Sequence, residues 1–227
     1  MLKVRRAEGP TRLIRSAGAT GPDPTRFWGQ WSIILGVLTF TSGLFLLVMF
    51  ISLGLGRSAA PWGPINDLLG GLSNLLLAAL IPVLSRRAVG LPWERSAVWF
   101  LSGASVVAAA SGFLLVAGKM GFEQSTAVSV VVIMLQVVWM LWLNRRFLRD
   151  PAVPTLVSRF GIAFAVLMLA GTLLLGLSFA AGSGTLTAKV LQVTGGTLGG
   201  AAWLSWPAWF ILMGRHLKGS SRPPRRA

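Results

Sequence analysis

Residues Trp31–Leu55 read WSIILGVLTFTSGLFLLVMFISLGL, and no charge interrupts them. A helix rising about 1.5 Å per residue carries such a run across the roughly 30 Å of a bilayer's hydrocarbon. Working outward, five more apolar runs follow: Leu68–Leu84, Ala97–Ala117, Ala127–Leu143, Phe160–Ala181 and Val190–Met213, with short polar stretches between them. The pattern predicts an all-α integral membrane protein, a six-transmembrane-helix bundle over residues 31–217. Basic tails at 1–30 and 218–227 flank it and are read as disordered. The composition agrees, at 54% hydrophobic and 12% charged residues, where a soluble domain carries about 25% charged.

Lysine and arginine set the expected orientation, because they accumulate on the cytoplasmic side. With the N-terminus inside, the even-numbered loops and both tails hold 18 basic residues, among them Arg86, Arg87, Arg95, Arg145, Arg146, Arg149 and Arg159. The outside keeps Arg57, Lys119 and Lys189. Both termini are therefore expected in the cytoplasm. Nine of the ten tryptophans fall in the same half, which suggests interfacial anchoring by indoles. The first run is too long for the apolar region of a cleaved signal peptide, and no small-residue cleavage site follows it. The preference for Arg over Lys, with abundant Ala, Gly, Val and Leu, points to a GC-rich bacterial genome. The expected location is thus a bacterial inner membrane.

The odd runs share a phrase. Ser42-Gly43, Ser111-Gly112 and Ala170-Gly171 each precede four apolar residues, and the even runs end on Arg86-Arg87, Arg145-Arg146 and Arg215-His216. Three tandem in-out-in hairpins would produce this pattern. Chance similarity among leucine-rich helices, with basic ends set by orientation, would produce it too. Small residues at Ala104, Ala108 and Gly112, at Gly161 and Ala165, and at Gly195/Gly199 and Gly196/Gly200 mark close helix packing. Pro82 and Pro207 predict bends.

Chemistry is sparse. There is no Cys and a single His, so disulfides, thiolate metal sites and multi-histidine centres are excluded. No cofactor motif occurs, and no span carries an arginine ladder or a mid-membrane carboxylate. The net charge of +15 lies at membrane-facing ends and argues for anionic headgroups as partners rather than nucleic acid.

The most individual segment is Pro61-Trp62-Gly63-Pro64-Ile65-Asn66-Asp67, which opens the second span. Asn66 or Asp67 there reads as a helix N-cap, or as part of a site. Asp67, Gly71, Asn74 and Ala78 follow one helical stripe. Ser125, Ser129 and Gln136 repeat it below Glu123 on the fourth span, as does Gln192 on the sixth. If the even helices converge, Trp62, Asn66, Asp67, Asn74, Glu123, Gln136 and Gln192 define an outer polar pocket. Interhelical hydrogen bonding explains the amides equally. The run Thr194–Gly200 serves either close packing or a broken, ligand-binding helix. Trp203, Trp206 and Phe210 form an aromatic stripe suited to packing.

These features favour a non-enzymatic protein that binds a lipid or small amphiphile, or a subunit of a membrane complex, with a homo-oligomer as another option. A small transporter or channel using the polar faces of the even helices is the alternative. An enzyme would need Asp67 and Glu123 to act together.

Overall fold

The computed structural model describes residues 24–182 and 184–220. Most of both expected tails, residues 1–23 and 221–227, lies outside the described residues. Six α-helices make up the fold: α1 Pro24–Gly54, α2 Trp62–Ser85, α3 Pro92–Val116, α4 Phe122–Phe147, α5 Thr155–Ala180 and α6 Leu186–Ser220. Among the described residues there is no strand. Helices α1 to α5 are long and apolar enough to cross a membrane. α6 is the longest, at 35 residues, and is not among them. Its glycines, threonines, Gln192, Ser205 and Pro207 dilute its leucine and valine.

Every helix is longer than the apolar run that announced it. Backbone hydrogen bonding continues into polar flanks, where a hydropathy pattern ends but the helix does not. α1 starts at Pro24, so residues 24–30 are helical rather than part of a disordered tail, and α6 carries helix through Ser220. α2 starts at Trp62, with Pro61 at the N-cap position and no side-chain cap. Asn66 and Asp67 are therefore inside the second turn, and the capping role expected of them is not realised. α2 runs on through Pro82, and α6 through Pro207 and the whole Thr194–Gly200 stretch.

Turn chemistry marks both ends of the bundle. At the end remote from the termini, α3 closes with Gly118 at φ 67°, where the Lys119 N–H reaches back to the Leu114 carbonyl. A left-handed residue there suits glycine because a Cβ would clash. Proline starts helices at both ends: Pro92 is the first residue of α3 and Pro154 sits at the N-cap position of α5, as Pro61 does for α2.

Successive helices pack against each other in chain order, and α1 packs on α6. The result is a closed ring of six antiparallel neighbours. Glycine sets the closest approaches. A Cβ on Gly171 of α5 would stand 2.6 Å from the Gly199 nitrogen and 2.9 Å from the Gly195 carbonyl oxygen of α6. Gly195 is thus the glycine of the run that must stay bare, with Gly199 offering its backbone to Gly171, whereas a Cβ on Gly196, Gly199 or Gly200 would meet nothing within 4 Å. Without a hydrophobic drive between helices in lipid, such backbone proximity supplies the packing energy.

The hairpin repeat is not carried into equivalent packing. Gly43 faces Trp203 of α6, Gly112 faces the Asp67 carbonyl of α2, and Gly171 faces α6. A threefold ring would turn Gly171 toward α4.

The densest core lies toward the termini end, around Leu80, Ile81, Met140, Leu143, Phe164, Trp209, Phe210 and Met213, each at most 1% exposed. Trp139, Trp206 and Trp209 belong to this core, at 6%, 6% and 0% exposure. They are interior residues rather than the interfacial anchors expected. Each has a reason to be inside. The Trp139 indole N–H donates to Ser85 Oγ at 2.8 Å and that of Trp209 to Asn144 Oδ1 at 3.1 Å, while the Trp206 ring packs edge-on against Phe164 and Phe210.

Candidate functional site

α4 is the hub of the ring's polar interior. Gln136, Met140 and Asn144 recur every four residues, and the ring buries all three. Gln136 Nε2 donates to Asn74 Oδ1 of α2 at 2.9 Å and to Ser105 Oγ of α3 at 3.0 Å. Asn74 is steadied from below by its own helix, donating to the Gly70 carbonyl at 3.0 Å. Two of the even helices therefore meet through amides as the stripe pattern predicted.

Beside this pair is a cavity of about 70 Å³ near the middle of the ring. Thr39 and Ser42 of α1, Gly70, Ser73 and Asn74 of α2, and Gln136 of α4 supply its polar wall; Trp203 and Trp206 of α6 face them. Ser73 is 8% exposed, and its hydroxyl has no hydrogen-bond partner. A buried hydroxyl left unpaired costs about 1–3 kcal/mol, and Ser73 is one of the residues around this cavity, whose remaining lining is largely apolar. Among the described residues the other such hydroxyl is Ser158 on α5, which does not line the cavity.

Hydrogen bonds lead from the cavity to the remote end of the bundle. Ser42 Oγ donates to Asn66 Oδ1 at 2.8 Å, and Asn66 Nδ2 donates to Asp67 Oδ1 at 3.3 Å. Trp62 stacks on Phe45 alongside, with ring centroids 5.9 Å apart. Asp67 thus reaches the cavity wall only through Asn66 and Ser42. Toward the termini, the track ends on the packed core.

Two expected members are elsewhere. Gln192 is exposed: the stretch of α6 around it buries Ala188, Gly195 and Ala202 and leaves Gln192 off that line. Glu123 is exposed in the first turn of α4, two positions from the buried Ser125. Among the described residues it shares no hydrogen bond with Asp67.

Ser42, Ser73, Ser105 and Asn144 were not singled out as site residues by sequence reasoning. The adjacency of Ser73 and Asn74, and the Gln136–Asn144 spacing, were the available signals. The most buried acid among the described residues was also not singled out. Glu94, 2% exposed, accepts from the backbone N–H groups of Gly90 at 2.6 Å and Leu91 at 3.0 Å, and pairs with Arg146 Nη2 at 2.6 Å. It fastens the start of α3 to the end of α4. No protein-family model, curated protein or solved structure matches the chain.

Proposed function

We propose that this chain is a six-span bacterial inner-membrane protein with both termini in the cytoplasm, and that it works by binding rather than by chemistry. In this reading α6 crosses the membrane with the other five helices, and the basic residues at the termini end face the cytoplasm. The ligand is a small, uncharged polar molecule, taken into the cavity from the outer side. The observation that carries the proposal is the hydrogen-bonded Asn74–Gln136 amide pair on the cavity wall, with the unpaired Ser73 hydroxyl buried next to it.

Size and charge narrow the ligand. A site where one water needs about 10–15 Å³ offers 70 Å³ room for about five such groups. That admits a small amide or polyol and leaves no room for an acyl chain, so a lipid would enter only by its polar end. The wall carries no ionised side chain, and an ion would lose its hydration without a counter-charge there.

Native mass spectrometry of gently extracted protein tests this. A small polar adduct should accompany the wild type. Asn74→Ala or Ser73→Ala should lower its occupancy about tenfold or more, the effect of losing one buried hydrogen-bond partner. Gln192→Ala, at an exposed site, should leave it unchanged. An adduct indifferent to Asn74 and Ser73 would sink the proposal, and a stoichiometric protein partner in its place would make the chain an accessory subunit. Transport is the second reading, favoured by the polar track through Asn66 and Ser42. Flux of the bound solute into liposomes would select it, and would require the packed core near the termini to open.

A further inference from the structure

We propose that the seam between α2 and α3 holds one anionic phospholipid of the leaflet at the termini end, its headgroup between Arg86 and Arg95 and an acyl chain along the two helices. This inference does not rest on the small-ligand reading. It requires only that α2 and α3 lie in a membrane.

Two hollows meet at Trp99, whose indole is 63% exposed. The first, of about 600 Å³, is the mouth, with Arg95 and Ser96 on its wall. The second, also of about 600 Å³, is an apolar groove along α2 and α3 that reaches Arg86 at the termini end. Its floor is recessed because α2 presents Ala78, Ala79 and Pro82 there. The single hydroxyl in that floor, Ser102, is already committed to the Ala78 carbonyl at 2.7 Å, so an acyl chain meets no free donor.

Charge complementarity selects the occupant. Glu94, the acid next to Arg95 in sequence, is turned inward and engaged by Arg146 and two backbone N–H groups. Among the described residues Arg86 and Arg95 pair with no acid. One guanidinium on the mouth and one at the termini end of the adjoining groove, each able to grip a phosphate through paired N–H bonds, are therefore uncompensated. Basic pockets between membrane helices recognise anionic headgroups in this way. The dimensions also fit. From Arg86 to Leu75 the groove follows eleven residues of α2, or about 16 Å, close to one leaflet of a roughly 30 Å hydrocarbon core. Trp28 on the groove wall adds a second indole at the level where headgroup and chain join.

The test uses the full chain in nanodiscs of equal parts phosphatidylglycerol and phosphatidylcholine, released and weighed by native mass spectrometry. Wild type should retain one phosphatidylglycerol in preference to phosphatidylcholine. The double substitution Arg86→Gln and Arg95→Gln should reduce that preference about thirtyfold. Both sites are exposed, so the fold should survive. Trp99→Ala should shorten retention of both lipids. Arg149→Gln with Arg159→Gln, also exposed at the same end, should change nothing. Equal loss in that control pair would mean general surface attraction and would overturn the site. So would retention unchanged by Arg86→Gln and Arg95→Gln. Displacement by soluble glycerol phosphate at the lipid's own concentration would mean an anion site without an acyl groove, and would overturn the proposal as well.

Discussion

Replacing Gly214 by valine is expected to open the ring. A Cβ at Gly214 would stand 2.5 Å from the Gly29 carbonyl oxygen, 2.7 Å from Ile33 Cγ1 and 3.0 Å from the Ile33 nitrogen. Backbone cannot yield as a flexible side-chain tip can, so α1 and α6 must separate. The separation is not local. Farther along the same seam, Ser32 Oγ donates to the Phe210 carbonyl at 2.8 Å, and Gly36 faces the Pro207 carbonyl so closely that a Cβ there would come within 2.7 Å. Overpacking in a tight core costs about 1–3 kcal/mol and occasionally more, and the lost Ser32 bond adds about 1 kcal/mol. Gly214→Val should therefore fail to give a folded monomer in detergent, or should unfold far below the wild-type Tm. Gly196→Ala is the matched control. Nothing lies within 4 Å of its new methyl, and Ala is the better helix former by about 1 kcal/mol. Its Tm should hold or rise. Equal behaviour of the two variants would dismiss glycine contact as the basis of ring closure.

The second large effect is expected at Glu94. Its carboxylate completes two backbone N–H groups at the start of α3 and holds Arg146 of α4. Hydrogen bonds to a charged acceptor contribute about 1.5–3 kcal/mol each, but Gly90, Leu91 and Arg146 all reach solvent once released, which reduces the loss. Glu94→Ala should thus lower the Tm clearly, more than a substitution at an exposed acid such as Glu123. Glu94→Gln keeps an acceptor oxygen for one N–H and should cost about half as much. Thermal unfolding in micelles would report both. A milder Arg146→Ala than Glu94→Ala would identify the turn, rather than the ion pair, as the larger share. A wild-type Tm for Glu94→Ala would remove the fastening role altogether.

The six helices were legible because apolar run length is a one-dimensional property of the chain. Their ends were not, since residues such as Arg26, Asn66 and Asp67 interrupt hydropathy without interrupting a helix. The Asn74–Gln136 contact was partly legible: an amide on an apolar stripe must find a partner, and few were on offer. Gln192 and Glu123 carried the same signal and met no such partner. Which way a helix turns is decided by its neighbours, here by Gly195 and Ser125. Glu94 shows the converse. Its position near a span end resembled that of the other acids, and only the folded turn brings Gly90, Leu91 and Arg146 to it.

Ring closure between the first and sixth helices has a bearing on how the chain is made. Ribosomal synthesis delivers α1 first. Its packing face at Gly29, Ser32 and Gly36 then waits against lipid until five more helices have emerged. α6 is the least suited of the six to enter a bilayer on apolarity alone, yet both of its neighbours hold glycine faces ready for it. If α6 crosses the membrane as proposed above, its partitioning is a docking event, in which the slot between α1 and α5 receives it. A chain halted after Ala180 would leave that slot unfilled and its glycine faces bare, a form that membrane proteases recognise. A separately expressed α6 segment should restore it to the level of the intact chain. Docking of α6 would thus report that α1 and α5 are already in place.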